Sequence, residues 1–229
     1  MPYTTHESAE HIVLEPATTA DAAVIWLHGL GADGHDFVPI VQELRLPPSM
    51  AVRFIFPHAR PRPVTINNGF VMRAWYDITG MGPDRKEDDA GIRESATVVN
   101  GYVQQENARG VESKRIVIAG FSQGGAIALQ AALRYPERLA GVMALSTYLP
   151  LRDSVVAEVS PANRDVPILM CHGLRDGMVP ATLGKASRDL LVSLGYQVEW
   201  QSYPMEHSVC MEEVLDISKW LQARLARNP

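Results

Sequence analysis

The sequence predicts an α/β protein with a mainly parallel sheet and helices on both faces, organised as one domain over residues 1–229. Short runs of apolar and β-branched residues alternate with longer stretches of helical periodicity. The apolar runs are unbroken rather than alternating, which is typical of strands buried on both faces. With 46% hydrophobic and 21% charged residues, the composition is that of an ordinary globular domain.

The elements follow one another in a regular order. Strands are predicted at residues 22–28, 52–56, 115–119, 139–145, 167–172 and 196–201. Helices are predicted at residues 36–44, 87–105, 123–134, 180–194 and 208–226. Pro57 closes the second strand, Pro136 ends the third helix, and Gly195 lies where a C-terminal cap is expected. Strands joined by helices in this way predict right-handed parallel crossovers.

Charge and cysteine content exclude several classes of protein. The chain carries 21 basic and 26 acidic residues, a formal net charge of −5, so it lacks the electrostatic footprint of a nucleic-acid-binding protein. Its two cysteines are too few for a disulfide scaffold and fit a reducing compartment. The N-terminal residues lack the pattern of a secretory signal, and no uncharged apolar run approaches the ~18 residues that span a bilayer. We therefore expect a cytoplasmic protein without stable membrane insertion.

The sharpest local pattern is Gly-Phe-Ser-Gln-Gly at residues 120–124, followed by Gly125. It lies between a predicted strand and an apolar helix, the context in which a G-x-S-x-G sequence presents a nucleophilic serine. The glycines leave room for a tight turn, and the dipole of the following helix favours negative charge at its N-terminus. The alternatives are a phosphate-binding loop or a plain turn, but the phosphate-loop and dinucleotide-binding patterns are absent. We interpret Ser122 as a nucleophile.

A nucleophilic serine needs a base, and the base needs a carboxylate to orient it. On such sheets the chain order is serine, acid, histidine, and only His172 and His207 follow Ser122. His207 and Asp176 each come after a predicted strand, as Ser122 does, so all three are expected at the carboxyl edge of the sheet. We predict Ser122, Asp176 and His207 as the catalytic residues.

Other interpretations of these residues stay open. His172 as the base would need Asp153 or Asp165 as the acid, whereas a buried histidine bonded to the backbone is the simpler interpretation. Asp176 precedes a glycine, so it is also a candidate turn residue. His207 is also a candidate for an ordinary surface-turn histidine.

Two backbone N–H groups are expected to hold the oxyanion of the tetrahedral intermediate. Gln123, directly after the nucleophile, supplies one, and Leu30, in the His-Gly-Leu-Gly turn after the first predicted strand, supplies the other. The alternative for the second position is an ordinary glycine-rich turn.

Residues 59–84 do not fit the alternation of strands and helices. At roughly 25 residues this segment exceeds the usual length of a connection, so we predict that it is functional. Its apolar side chains and Leu30 are expected to line an acyl pocket, with plain packing as the alternative. The predicted lining residues are Leu30, Met72, Trp75, Tyr76 and Met81.

Several stretches resemble the carboxylesterase and acyl-protein thioesterase family of α/β-hydrolases, which includes bacterial carboxylesterases of similar length. The stretches are LHGLGADG, RPVTINNG with WYDI, GFSQGG, LSTYLP and HGLRDGMVP, and the resemblance extends from about residue 22 to residue 220. It implies the α/β-hydrolase fold, with a short β-rich flap and no large lid domain. It also implies the Ser122–Asp176–His207 triad and an oxyanion hole from the Leu30 and Gln123 N–H groups.

One position departs from the family pattern, because Glu206 stands where members often have glycine before the histidine. An added carboxylate beside the base is expected to shift the acid limb of activity upward.

We therefore predict a serine hydrolase that cleaves carboxylic esters, and thioesters, through an acyl-enzyme. The alternative is an acyl-protein thioesterase or lysophospholipase that acts on long acyl chains. The partner expected is a small acyl ester or thioester, no metal or organic cofactor is required, and a flat apolar surface around the site would suit a homodimer. A non-catalytic binding protein would normally lack the nucleophile or base. A cysteine hydrolase is disfavoured because neither Cys171 nor Cys210 stands in the G-x-S-x-G pattern.

Overall fold

An eight-stranded sheet forms the centre of the protein. The computed structural model describes residues 3–80 and 86–226. The strands are β1 (Tyr3–Glu7), β2 (His11–Pro16), β3 (Ala22–Leu27), β4 (Val52–Pro57), β5 (Pro61–Val64), β6 (Phe70–Arg73), β7 (Ile116–Phe121), β8 (Gly141–Leu145), β9 (Ile168–Gly173) and β10 (Val198–Tyr203). The large sheet has the order β1-β2-β4-β3-β7-β8-β9-β10, and β5 pairs with β6 in a separate antiparallel hairpin.

Strands β4, β3, β7, β8, β9 and β10 of the large sheet run parallel to one another, as predicted. The antiparallel hairpin of β1 and β2, which extends one edge, was not predicted. Strand β1 has mostly exposed side chains and therefore no apolar run that would mark it in the sequence. The β5–β6 hairpin lies within the irregular segment 59–84 and is the β-rich element that the family resemblance implied.

The helices of the described residues connect these strands. They are α1 (Ile40–Glu43), α2 (Asp89–Ala108), α3 (Gln123–Arg134), α4 (Val155–Glu158), α5 (Ala181–Ser193) and α6 (Met211–Leu225). The prediction of one helix over residues 36–44 is wrong, because the structure has a 3₁₀ turn at Gly34–Phe37 and then the short α1. Pro39 stands between them, and a proline supplies no N–H to continue a helix.

The sheet separates two hydrophobic cores, and adjacent residues of β3 point into different ones. Val24 packs in the core that contains Ile217 of α6. Ile25 packs in the core that contains Val99 of α2 and Leu129 of α3. Helices therefore cover both faces, and burial on both faces explains why the strands have unbroken apolar runs.

The loops that follow β3, β7, β9 and β10 leave the sheet at its carboxyl edge, because these strands are mutually parallel. These four loops carry Leu30, Ser122, Asp176 and His207. Over the described ranges, none of the helices is both long and apolar enough to cross a membrane.

Candidate active site

Ser122 lies at the turn between β7 and α3, with a backbone φ of 55° and ψ of −120°. A non-glycine residue with positive φ is strained and needs support from its surroundings. The surroundings are tight, because a Cβ at Gly120 would lie 2.2 Å from the carbonyl oxygen of Gly124. A Cβ at Gly124 would lie 2.5 Å from the carbonyl oxygens of Leu27 and His28. The strand–turn–helix context predicted for the serine is confirmed, and the glycines are required by this close approach.

Asp176 and His207 are in direct contact. His207 Nδ1 donates to Asp176 Oδ2 over 2.7 Å, and the aspartate side chain is fully buried. The other carboxylate oxygen, Oδ1, accepts from the backbone N–H groups of Met178 and Val179 at 2.9 and 2.8 Å. Because Nδ1 carries the proton, Nε2 of His207 is left as the nitrogen with a free lone pair.

His207 also lies beside the turn that carries Ser122. Its ring is 4.7 Å, centroid to centroid, from the ring of Phe121, the residue before the serine. Within the described chain, no hydrogen bond joins the Ser122 hydroxyl to the imidazole. Nucleophile–base contacts are often longer in unliganded enzymes than in complexes with substrate.

Leu30 and Gln123, the predicted oxyanion donors, lie on the turn after β3 and at the start of α3. Gln123 is the first residue of α3, so its N–H has no carbonyl partner within the helix. Leu30 is flanked by Gly29, at which an added Cβ would lie 3.5 Å from the Cβ of Ser122. The turn that carries Leu30 therefore lies against the serine at Gly29. The role of the two N–H groups stays a prediction.

Trp75 has contacts that the sequence did not predict. Its side chain is only 2% exposed, and the indole Nε1–H donates to the carbonyl oxygen of His28 over 2.9 Å. Its backbone N–H donates to the side-chain oxygen of Gln123 over 2.7 Å. These bonds join residues that are more than 40 positions apart, so no local sequence pattern reveals them.

The other residues predicted to line the acyl pocket, apart from Met81, are partly half-buried and partly buried. Leu30 and Met72 are half-buried, and a Cβ at Gly31 would lie 3.7 Å from Met72 Sδ, so Met72 lies against the turn that carries Leu30. Tyr76 is buried, and its hydroxyl is 2.7 Å from that of Tyr148. Met81 lies outside the described residues. Substrate contact by Leu30, Met72 and Trp75 stays a prediction.

A cavity of about 950 Å³ opens next to the loop of Asp176. Its apolar lining includes Tyr148, Leu149, Leu151, Met178, Val179 and Leu183. Sequence reasoning did not assign this cavity, although the LSTYLP and HGLRDGMVP stretches supply six of its lining residues, including Tyr148, Leu149, Met178 and Val179. A volume of this size can hold a sizeable ligand, and the charged residues Glu87, Asp89, Arg152 and Asp153 also line it.

His172 is a buried histidine bonded to the backbone, which confirms the simpler interpretation of this residue. It is 1% exposed, and its Nε2 donates to the carbonyl oxygen of Val179 over 2.8 Å. Burial lowers its pKa, so the ring is held neutral. The ring also stacks on Trp200 at 5.8 Å and does not face open space as a base must.

Glu206 and the two cysteines lie near these loops without entering the contacts just described. The Glu206 side chain is exposed and forms no ion pair with His207 in the described chain. Its expected effect on the acid limb stays a prediction. Cys171 is buried and Cys210 half-buried, and both are free thiols whose pKa burial raises. Among the described residues, no group of three or more His, Cys, Asp or Glu side chains is arranged to hold a metal ion.

A parallel sheet with helices on both faces and a serine on the turn after a central strand defines an α/β-hydrolase. Residues 8–225 match the phospholipase/carboxylesterase family, and the chain belongs to this family of hydrolases. The resemblance and the fold that the sequence predicted are thereby confirmed.

Relatives that cover almost the whole chain support this assignment. The chain is 40% identical to acyl-protein thioesterase 1 of Gibberella zeae, over 93% of this chain and 95% of that one. It is 41% identical to acyl-protein thioesterase 1 of Neurospora crassa, over 94% and 92%. The crystal structure of Zea mays acyl-protein thioesterase 2 superposes with a TM-score of 0.85 at 31% identity, covering 98% of this chain and 100% of that chain. The chain is therefore an enzyme of the carboxylesterase and thioesterase type.

Proposed function

We propose that this enzyme hydrolyses acyl esters and thioesters with Ser122 as nucleophile, His207 as base and Asp176 as the acid that orients the base. The observation that carries the proposal is the hydrogen bond between His207 Nδ1 and Asp176 Oδ2, formed beside a strained serine at the same edge of the sheet. The buried carboxylate favours the Nδ1-protonated tautomer, which leaves Nε2 to accept the serine proton.

Acylation starts when a substrate binds and Ser122 Oγ turns to within about 3 Å of His207 Nε2. As the proton moves to Nε2, Oγ attacks the acyl carbon, and the carbonyl oxygen becomes an oxyanion. The imidazolium then returns the proton to the leaving alcohol or thiol, and the bond to the acyl carbon breaks. Water, deprotonated by the same nitrogen, attacks the acyl-enzyme and releases the acid and the free serine.

The oxyanion is held by the N–H groups of Leu30 and Gln123. Since Gln123 is the first residue of α3, the positive end of the helix dipole adds to the field at that oxygen. Preorganised donors of this kind each contribute about 10²- to 10³-fold to the rate.

The cavity favours a large acyl group over a short one. It begins at residues 177–180, directly after Asp176, and leucine, methionine, valine and tyrosine side chains form the apolar part of its lining. The named relatives are acyl-protein thioesterases. We therefore propose a thioesterase that acts on long acyl chains, with simple short-chain esters as weaker substrates.

Two measurements test this proposal. Ser122→Ala is expected to abolish turnover of esters and thioesters while thermal unfolding stays close to that of the wild type. Hydrolysis retained by this variant at the wild-type rate would contradict the mechanism. The second measurement is a series of acyl thioesters from about two to about sixteen carbons. We expect kcat/KM to rise with the length of the acyl chain. A decline beyond four carbons would contradict the long-chain assignment.

We propose a small acyl ester or thioester as the binding partner, together with a cytoplasmic location and a homodimer. Sedimentation of the purified protein at several concentrations tests the dimer.

A further inference from the structure

The two proposed oxyanion donors lie on different elements, so something must fix their separation. The Leu30 N–H is on the turn after β3, and the Gln123 N–H is at the start of α3. Both have to lie about 3 Å from the same oxygen of the transition state. The segment of residues 73–76, which follows the β5–β6 hairpin, bonds to both elements.

The first connection is made by the side chain of Gln123. Its Oε1 accepts from the backbone N–H of Trp75, and its Nε2 donates to the carbonyl oxygen of Tyr76, each over 2.7 Å. Gln123 is 3% exposed, so both ends of its amide are satisfied inside the protein. The residue that offers one oxyanion donor through its backbone therefore holds the segment 73–76 through its side chain.

The second connection is made on both sides of Leu30. Trp75 Nε1–H donates to the carbonyl oxygen of His28, and the N–H of Gly31 donates to the carbonyl oxygen of Arg73, each over 2.9 Å. These two bonds attach the turn at the positions that immediately flank Gly29 and Leu30. The direction in which the Leu30 N–H points is set by these attachments.

Further hydrogen bonds hold the buried part of the connection, at Trp75 and His28. The Ser95 hydroxyl donates to the carbonyl oxygen of Trp75, and the rings of Trp75 and His28 are 5.2 Å apart. His28 Nε2 accepts from the N–H of Ala59 over 3.0 Å, so Nδ1 carries the proton and donates to the carbonyl oxygen of Gly29 over 2.7 Å. The turn of Leu30 is thus held from its inner side as well.

We propose that the Trp75 indole and the Gln123 side chain are positioning residues that set the distance between the two oxyanion donors. Trp75 then acts through the His28 carbonyl rather than through contact with the acyl chain. This inference rests on the proposed function, because it assigns a task to groups outside the reacting atoms of that same site. Without the indole N–H, a buried carbonyl loses its partner, and the turn shifts to regain one.

The test compares two tryptophan-to-phenylalanine variants. Trp75→Phe removes the N–H that binds His28 and keeps most of the ring. Trp26→Phe is the matched control, because Trp26 is 1% exposed in β3 and its Nε1 has no hydrogen-bond partner within the described residues. For each protein we would measure kcat and KM on a short acyl ester, the rate of inactivation by a fluorophosphonate, and the melting temperature.

The inference predicts that Trp75→Phe lowers kcat and the fluorophosphonate rate together, by about 10- to 100-fold, because both reactions need the oxyanion hole. KM stays within threefold, as roughly expected when only transition-state binding is lost. Trp26→Phe lowers the melting temperature and leaves both rates within twofold. A raised KM with unchanged kcat in Trp75→Phe would make Trp75 a substrate contact and overturn the inference. Equal losses in both variants would also overturn it, since they would indicate a general packing effect.

A second variant tests the other end of the connection and is measured alone as well: Gln123→Met is expected to lower kcat and the fluorophosphonate rate together, and unchanged rates in a folded Gln123→Met protein would contradict the inference. Gln123→Met keeps the length of the side chain and removes both amide bonds to residues 75 and 76. If both variants act through one connection, the double variant loses less than the product of the single losses. Independent, multiplicative losses would contradict the inference. A wild-type protein that neither hydrolyses the ester nor reacts with the fluorophosphonate would instead refute the proposed function, and the inference would fail with it.

Discussion

Asp176 and His207 are joined by a 2.7 Å hydrogen bond across 31 positions of the chain, and the aspartate carboxylate is also held by two backbone N–H groups. The carboxylate therefore cannot rotate without breaking three bonds. Because it is fixed, it fixes both the orientation and the tautomer of the imidazole. The fold therefore determines which ring nitrogen of His207 carries the proton.

The first prediction concerns the tautomer. Asp176→Asn keeps the size of the side chain but can place an NH₂ group against His207 Nδ1, which favours the wrong tautomer. We expect kcat to fall by about 10³- to 10⁴-fold with a small change in melting temperature. Asp165→Asn is the control, because Asp165 lies at the surface in an ion pair with Arg138. Similar kcat values for the two variants would argue against Asp176 as the orienting acid.

The second prediction concerns the glycines of the serine turn. Gly124→Ala would place a Cβ 2.5 Å from two backbone carbonyl oxygens, which forces α3 away from the end of β3. We expect lower stability and reduced activity, measured by urea unfolding and ester hydrolysis. Gly101→Ala is the matched control, since this glycine lies inside α2 with no atom within 4 Å of the added Cβ. That control should gain about 0.5–1 kcal/mol of stability from higher helix propensity. A destabilised Gly101→Ala protein together with an unaffected Gly124→Ala protein would refute this reasoning.

The third prediction concerns acid stability. Burial lowers the pKa of His28 from 6.5 to about 4, so the unfolded chain binds a proton at this residue before the folded protein does. The neutral, buried His28 therefore makes the free energy of unfolding higher above pH 6.5 than in acid. This difference is about 3 kcal/mol and is lost as the pH falls towards 4. Urea unfolding between pH 7.5 and pH 4.5 should show this slope in the wild type and a shallower one in His28→Gln. His6→Gln, at an exposed position of β1, should keep the wild-type slope. Identical slopes in all three proteins would contradict the assignment.

The fourth prediction concerns alkaline stability. Glu213, in the first turn of α6, is fully buried, and desolvation raises its pKa from 4.5 to about 8. The folded protein therefore keeps a proton that the unfolded chain releases, so stability falls as the pH rises from 4.5 towards 8. Glu213→Gln removes this dependence and should be more stable than the wild type at pH 8.5, by on the order of a few kcal/mol. The exposed neighbour supplies the control Glu212→Gln. Equal stability of wild type and Glu213→Gln at pH 8.5 would count against a protonated, buried Glu213.

The parallel part of the fold could be predicted because β3, β7, β8 and β9 are buried on both faces and have unbroken apolar runs. Strand β1 could not, because it exposes most of its side chains and resembles a polar N-terminal segment. Strand β2 was missed although residues 12–14 form a short buried apolar run. The helix predicted from periodicity over residues 36–44 was wrong because Pro39 separates the 3₁₀ turn from α1.

The candidate triad could be proposed because Ser122, Asp176 and His207 each follow a predicted parallel strand, and loops after parallel strands meet at the carboxyl edge of the sheet. The contact between Asp176 and His207 agrees with that prediction. The positioning role proposed for Trp75 could not be inferred from sequence patterns, since its hydrogen-bond partners His28 and Gln123 are 47 and 48 positions away. A tryptophan in a long connection suggests a substrate contact, and only its burial and hydrogen bonds indicate another task.

The most direct test of the account is to identify the residue that a fluorophosphonate labels and to measure how fast it is labelled. Peptide mass spectrometry of the wild type should find one adduct, on Ser122, and His207→Ala should form it at least about 10³-fold more slowly. Labelling at any other residue, or an equal labelling rate in His207→Ala, would contradict the proposal that Ser122 is activated by His207.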